Sequence, residues 1–255
     1  MTKNLLPDGE RFSTFSCMTA RPFRAKVRNI RHLTPDIREL TLEMIEPLSL
    51  SFQAGQSIAV AVPDGATSAP VLRYFSIASP PCSATQFMLL LNSQDRGKGS
   101  VYLLAQSIDA DVQFSGPYGA FTLQHEPDQA LLFVGTGTGV APLWSMMATL
   151  LEEASSQQMR LLWGLRTEGD RYYLQELEAW ATQYKNFSYV LTLSKPSGSW
   201  QGKKGRVTDL LSELTTVDQR AAYVCGNLAM VKEVSRLLNE RGDCVVYRER
   251  HVEGF

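Results

Sequence analysis

Apolar and polar positions follow one spacing in the first half of the chain and another in the second. From about residue 22 to 115 the repeat is short and two-fold. Segments 23–30, 37–44, 56–62, 71–78, 87–91 and 111–114 each read as a strand. The third runs Ile58-Ala59-Val60-Ala61-Val62 and stops at Pro63-Asp64-Gly65, a strong turn signal. Strands this short and frequent predict an antiparallel β-barrel or sandwich. One helix is expected to interrupt them near Gly99-Ser100, with Val101, Leu104 and Ile108 along one side.

From Asp128 onward, apolar strands alternate with helices. The continuous run 130–134 precedes Val140, Leu143, Trp144, Met147, Leu150 and Leu151 at helical spacing. Strands are then expected at 160–163, 187–193, 221–225 and 245–247. Helices are expected at 172–184, 207–214 and 228–238, and 197–205 reads as a polar loop. Such alternation predicts a parallel sheet with right-handed crossovers. The expected layout is a poorly structured leader over 1–20, a barrel over 21–124 and an α/β nucleotide-binding domain over 125–255. A pair of this kind makes a cleft in which two ligands can meet.

Composition narrows the field. The 255 residues carry 25 basic and 26 acidic side chains, a net charge of −1, so no charge excess points to nucleic acid or a membrane surface. No apolar run approaches the roughly 18 residues of a membrane span. Cys17, Cys82, Cys225 and Cys244 form no C-x-x-C pair, and His32, His125 and His251 stand far apart. These spacings exclude a thiolate zinc ribbon or a built-in iron–sulfur cluster, and no metal site is expected. The cysteine usage fits a reducing, cytoplasmic compartment.

The sharpest local signal is Gly135-Thr136-Gly137-Thr138-Gly139-Val140-Ala141-Pro142, between a strand and the helix it opens. Glycines admit a ligand close to the backbone, and a helix N-terminus offers free N–H groups to a pyrophosphate. Val140 stands at the third glycine position of G-x-G-x-x-G, and no Lys-Ser/Thr follows, which excludes a Walker-type loop. The next strand leads into Gly164-Leu165-Arg166, and Ser194-Lys195 follows the third. Arginine suits a 2′-phosphate better than bare ribose hydroxyls, so Arg166, Ser194 and Lys195, with Lys203, Lys204 and Arg206 beyond, lean toward NADPH. In the first half, Arg73-Tyr74-Phe75-Ser76 places an arginine in an apolar strand, where an anion would offset its burial. Gly97-Lys98-Gly99-Ser100 is a second glycine pair at a helix start.

In this order, these pieces resemble the ferredoxin–NAD(P) reductase family over nearly the whole chain from Arg21 to Phe255. The family's flavin motif is R-x-Y-S/T, and Phe75 stands here at its tyrosine. The resemblance implies FAD rather than FMN. It implies that Arg73 pairs with the flavin pyrophosphate, that Phe75 lies against the isoalloxazine ring, and that Ser76 hydrogen-bonds near N5. Gly97-Lys98-Gly99-Ser100 resembles the second pyrophosphate loop, and Gly135 to Pro142 the nicotinamide-dinucleotide loop, with Gly137, Thr138 and Gly139 at its centre. Cys225-Gly226-Asn227-Leu228-Ala229-Met230 is similar to C-G-x-x-x-M, which sets Cys225 beside the nicotinamide and Gly226 and Met230 around it. The ending His251-Val252-Glu253-Gly254-Phe255 is similar to the plant-type valine–glutamate–any–aromatic terminus. It implies Phe255 as a cap on the flavin and Glu253 as the bordering carboxylate.

The implied activity is hydride transfer between NADPH or NADH and FAD, with single electrons passed to a separate ferredoxin, flavodoxin or oxygenase ferredoxin. Arg24, Lys26, Arg28, Arg31 and Arg38, with Arg96 and Lys98, are expected to offer an acidic partner a basic surface. Reduction of free flavin, reduction of ferric chelates, and a non-catalytic flavin-binding redox module remain as alternatives.

Overall fold

The computed structural model describes residues 22–65, 69–94, 96–124, 130–213, 221–242 and 244–249. The expected leader, Glu253 and Phe255 lie outside them.

The first half is an antiparallel six-stranded sheet ordered β4-β3-β6-β1-β2-β5. Its strands are β1 (Phe23–His32), β2 (Ile37–Glu46), β3 (Ser57–Val62), β4 (Val71–Ser76), β5 (Gln86–Asn92) and β6 (Asp111–Tyr118). A bridge between Ile77 and Leu89 brings the two edges of the sheet together, which closes the barrel. Period-two alternation fills it: Ala25, Val27, Leu40, Leu42, Ile58, Val60, Leu89 and Leu91 all point inward. On β2 both faces are covered. Leu40 and Leu42 belong to the barrel core, while Ile37 and Glu39 are buried on the opposite face. That outer face is where the second half packs.

The short helix α1 (Lys98–Leu104) differs from the sequence expectation. Val101 and Ile108 are exposed, and Leu103 is the residue that enters the barrel core. At seven residues the helix is too short for a stripe to set its orientation, so closure of the barrel decides it. Truncating Leu103 to alanine should cost roughly 2–5 kcal/mol, against little for Val101.

The second half is a fully parallel sheet ordered β10-β9-β8-β7-β11-β12. It comprises β7 (Leu131–Thr136), β8 (Met159–Leu165), β9 (Phe187–Leu193), β10 (Lys203–Lys204), β11 (Ala221–Cys225) and β12 (Val245–Arg248), with α2 (Val140–Glu152), α3 (Leu174–Gln183), α4 (Val207–Glu213) and α5 (Leu228–Arg241). Alternate β7 side chains serve two cores. Leu131 and Phe133 join α2 and α3, whereas Leu132 and Val134 join α4 and α5. Helix α2 is buried on nearly every face, because it lies between the sheet and the barrel. Ile37, Ala54, Ala78 and Leu90 of the barrel share its cluster, and Ser145 on α2 donates to the Ser79 carbonyl at 2.7 Å.

Several element boundaries moved. The loop expected over 197–205 contains the two-residue strand β10, paired with the end of β9. The helix expected from residue 172 begins at Leu174. Tyr173 is left-handed at φ 56°, and both tyrosines send their hydroxyls to other parts of the fold.

Candidate functional site

Strand order reverses between β7 and β11, and ligands of open α/β sheets bind at the carboxyl ends of the strands flanking such a switch. A cleft of about 1020 Å³ opens there, walled on the other side by the barrel. Its α/β wall is the turn Gly137–Gly139 together with Cys225 and Gly226, the ends of neighbouring strands. The two loops touch backbone to backbone: a Cβ on Gly139 would lie 2.4 Å from the Gly226 Cα. Only glycine permits that approach.

The barrel wall is Tyr74, Phe75 and Ser76 of β4, with Ser100 of α1. Gly99 sits directly behind, where a Cβ would stand 2.7 Å from the Arg73 Cβ and 2.9 Å from the Phe75 ring. The missing side chain lets α1 press Arg73 and Phe75 into place. One guanidinium nitrogen of Arg73 donates to the Leu72 carbonyl at 2.8 Å. Its other nitrogens carry no hydrogen bond among the described residues, a donor set suited to an anion. Lys98 instead pairs with Asp64 at 2.7 Å.

Of the positions expected to hold the nicotinamide dinucleotide, the glycine turn, Arg166, Ser194, Lys195, Arg206, Cys225, Gly226 and Met230 line this cleft, whereas Lys203 and Lys204 do not. Of those expected to hold a flavin, Tyr74, Phe75, Ser76 and Ser100 line it, whereas Arg73, Gly97, Lys98 and Gly99 lie outside its lining.

The carboxylate at the seam belongs to Glu249. Its Oε1 accepts the Ser76 hydroxyl at 2.9 Å, and its Oε2 accepts the Cys225 thiol at 2.8 Å. One acid thus joins a barrel residue to an α/β residue. The assignment to Glu253 rested on the terminal pattern, and that residue lies outside the described positions. The parallel register of β11 and β12 pairs Val224 with Arg248, so Glu249 falls level with Cys225. Strand spacing alone could have indicated it. Cys225 is 1% exposed. Burial first, then the Glu249 carboxylate, pushes its thiol well above the ordinary value, so it stays protonated and donates.

Tyr172 also lines the cleft, and Arg206 lines it together with Arg166 and Lys195. Among the described residues no side chain forms an ion pair with these three cations. Besides Glu249, the cleft's acids are occupied elsewhere. Asp170 accepts from the Thr167 backbone N–H and hydroxyl at 2.7 and 2.8 Å, and Glu233 pairs with Arg236 at 2.7 Å.

The basic surface expected on β1 and β2 is mostly neutralised. Arg24 pairs with Asp111, Arg28 with Glu43 and Asp109, and Arg31 with Glu39 and Glu176, while Arg38 donates to the Leu104 carbonyl. Among the described residues no cluster of ligating side chains could hold a metal ion, and no helix is long and apolar enough to cross a membrane.

Residues 24–123 match the family model for an oxidoreductase FAD-binding domain, and residues 133–236 that for an oxidoreductase NAD-binding domain. The chain is 35% identical to ferredoxin–NADP reductase B of Sorangium cellulosum, over 92% of its own length and 98% of that protein. It is 30% identical to the phenol hydroxylase P5 protein of Acinetobacter pittii, over 91% of its own length but only 65% of that protein. In structure it is similar to a ferredoxin NADP+ reductase from Neisseria gonorrhoeae with bound FAD and NADP (TM-score 0.75, 19% identity, 90% of this chain and 99% of that one), a likeness of fold.

Proposed function

Since the chain belongs to the ferredoxin–NAD(P) reductase family, we propose that it carries electrons from NAD(P)H through FAD to a separate one-electron acceptor: a ferredoxin, a flavodoxin or an oxygenase ferredoxin. The observation that carries this reading is the Ser76–Glu249–Cys225 contact, in which both halves meet at one carboxylate inside one cleft. We assign residues 21–124 to the flavin and 125–255 to the nucleotide.

The residues fit the cofactor. The face of Phe75, seated by the close approach of Gly99 behind it, offers a wall for a flat ring, and the spare donors of Arg73 beside it suit the pyrophosphate. Bound there, FAD supplies a centre that accepts electrons as a pair and releases them singly. Phe75 lacks the usual tyrosine hydroxyl but keeps the apolar face. The Ser76 proton is committed to Glu249, which turns the oxygen's lone pairs to the cleft. Cys225 keeps its thiol proton and fills the floor as an apolar neighbour, so thiolate chemistry is no part of the reaction. With NAD(P)H bound beside Cys225, the Glu249 carboxylate would stand near the ring that becomes cationic on loss of hydride.

The Gly137–Gly139 turn opens α2 and offers backbone N–H groups to the dinucleotide pyrophosphate. Arg166, Lys195 and Arg206, with Ser194 beside them, form the subsite for a 2′-phosphate, and NADPH is the nucleotide this charge favours.

Anaerobic titration of the yellow protein with NADPH and with NADH tests the reading. Stoichiometric bleaching of the flavin is expected, at lower NADPH than NADH, followed by recolouring on addition of an oxidised ferredoxin. A colourless protein that takes up no flavin, or one that neither nucleotide bleaches, would refute it.

A further inference from the structure

Tyr172 and Tyr173 are adjacent, yet their hydroxyls serve different halves of the molecule. The Tyr172 hydroxyl donates to the Gly137 carbonyl at 3.1 Å, and the Trp163 indole donates to the same oxygen at 3.2 Å. Gly137 has φ +53°, and its carbonyl is fixed by these two buried aromatic donors together with the Val140 backbone N–H. The turn's N–H groups are left to the cleft. The Tyr173 hydroxyl donates to the Glu39 carboxylate, on the buried outer face of β2. Arg31 of β1 stands 3.8 Å from the same carboxylate, lies 5.6 Å from the Tyr173 ring centre and pairs with Glu176 on α3. Tyr173 also stacks on Trp144 of α2 at 4.2 Å. The left-handed backbone at Tyr173 is costly for a non-glycine residue. It persists because contacts on both sides over-determine it.

We propose that Tyr172 and Tyr173 are positioning residues that couple the nucleotide turn to the barrel, so that the interdomain contact at Glu39 helps to set the affinity for the dinucleotide. The inference rests on the reading of the Gly137–Gly139 turn as the nucleotide site. Neither Tyr173 nor Glu39 lines the cleft, so an effect of either on nucleotide binding is indirect, and the peptide bond to Tyr172 with its hydrogen bond to Gly137 joins them to the turn. Burial also drives both phenols far above their ordinary ionisation range, which keeps them as neutral donors.

The test measures the dissociation constant of NADP+ and of NAD+ by calorimetry on the flavin-loaded protein, with a melting curve for each variant. Tyr172→Phe removes one hydrogen bond at the turn and should raise the constant about fivefold, equivalent to about 1 kcal/mol. Tyr173→Phe should raise it about two- to fivefold, although the residue is remote from the cleft. The double variant should show less than the product of the single effects, because both act along one connection. Glu39→Gln keeps an acceptor for Tyr173 and should bind within about twofold of the unaltered protein. A residue that served only stability would lower the melting temperature and leave binding unchanged. Should Tyr173→Phe not fold, Glu39→Ala breaks the same contact from the barrel side and must raise the constant likewise. Unchanged binding in Tyr173→Phe, or effects that simply multiply, overturns the coupling and leaves the nucleotide site standing. An unaltered protein that binds neither nucleotide overturns both.

Discussion

Replacing Glu249 with glutamine alters one atom at the seam and little of its shape. The carboxylate accepts two hydrogen bonds, one from Ser76 at 2.9 Å and one from Cys225 at 2.8 Å. An amide retains one acceptor oxygen, so one of the two donors must face an NH2 group, to which it can no longer donate. A hydrogen bond to a charged acceptor contributes about 1.5–3 kcal/mol, and the substitution also removes the negative charge opposite the developing nicotinamide cation. At about 1.4 kcal/mol per decade, hydride transfer should slow by about ten- to a hundredfold. Anaerobic stopped-flow reduction of the bound flavin by NADPH reads that step directly, and the flavin-to-protein absorbance ratio checks that the barrel still loads. Slowing with full flavin content is the expected result. A rate within twofold of the unaltered protein would refute the role given to Glu249, and Glu253 would be the next carboxylate to replace.

Other consequences concern packing, thiol access and pH. Gly99→Val drives a branched side chain into Arg73 and Phe75, and the purified variant should carry well under half the flavin of the unaltered protein by absorbance; full loading would refute the cradle. Arg206→Ala should weaken NADPH more than NADH, by about tenfold in KM, whereas an equal effect on both would remove the 2′-phosphate assignment. A thiol reagent should modify exposed Cys82 in the folded protein but reach Cys225 only after denaturation, as peptide mapping would show. Tyr172, Tyr173 and Tyr223 are buried phenols whose ionisation is raised, that of Tyr223 to about 12. The unfolded chain ionises near pH 10 and the folded one higher, so this contribution to stability is intact below pH 10 and falls above it. Urea midpoints at pH 8 and pH 11 would reveal the loss, and equal midpoints would contradict it.

Much of this arrangement could be read along the chain. Two-fold alternation placed the barrel strands, because each has one face on a dry core and one toward water or a partner. Uninterrupted apolar runs placed β7 and β11, which are covered by helices on both faces. That Tyr74 to Ser76, the glycine turn, Cys225, Gly226 and Met230 share one cleft was legible because close backbone approach demands glycine at fixed offsets after a strand.

The fold alone decided what depends on distance between segments remote in sequence. Glu249 stands 173 positions from Ser76, and only the register of β12 on β11 delivers it there. Tyr173 and Glu39, 134 positions apart, meet because α2 seats the barrel on the sheet. The expected basic surface on β1 and β2 is mostly neutralised for the same reason, since Arg24, Arg28 and Arg31 find acids that folding brings alongside. A sequence specifies which side of a strand is apolar and where a chain must turn, as these are local properties of spacing and side-chain shape. Which charges cancel, and which carboxylate reaches the seam, follows from packing one half against the other.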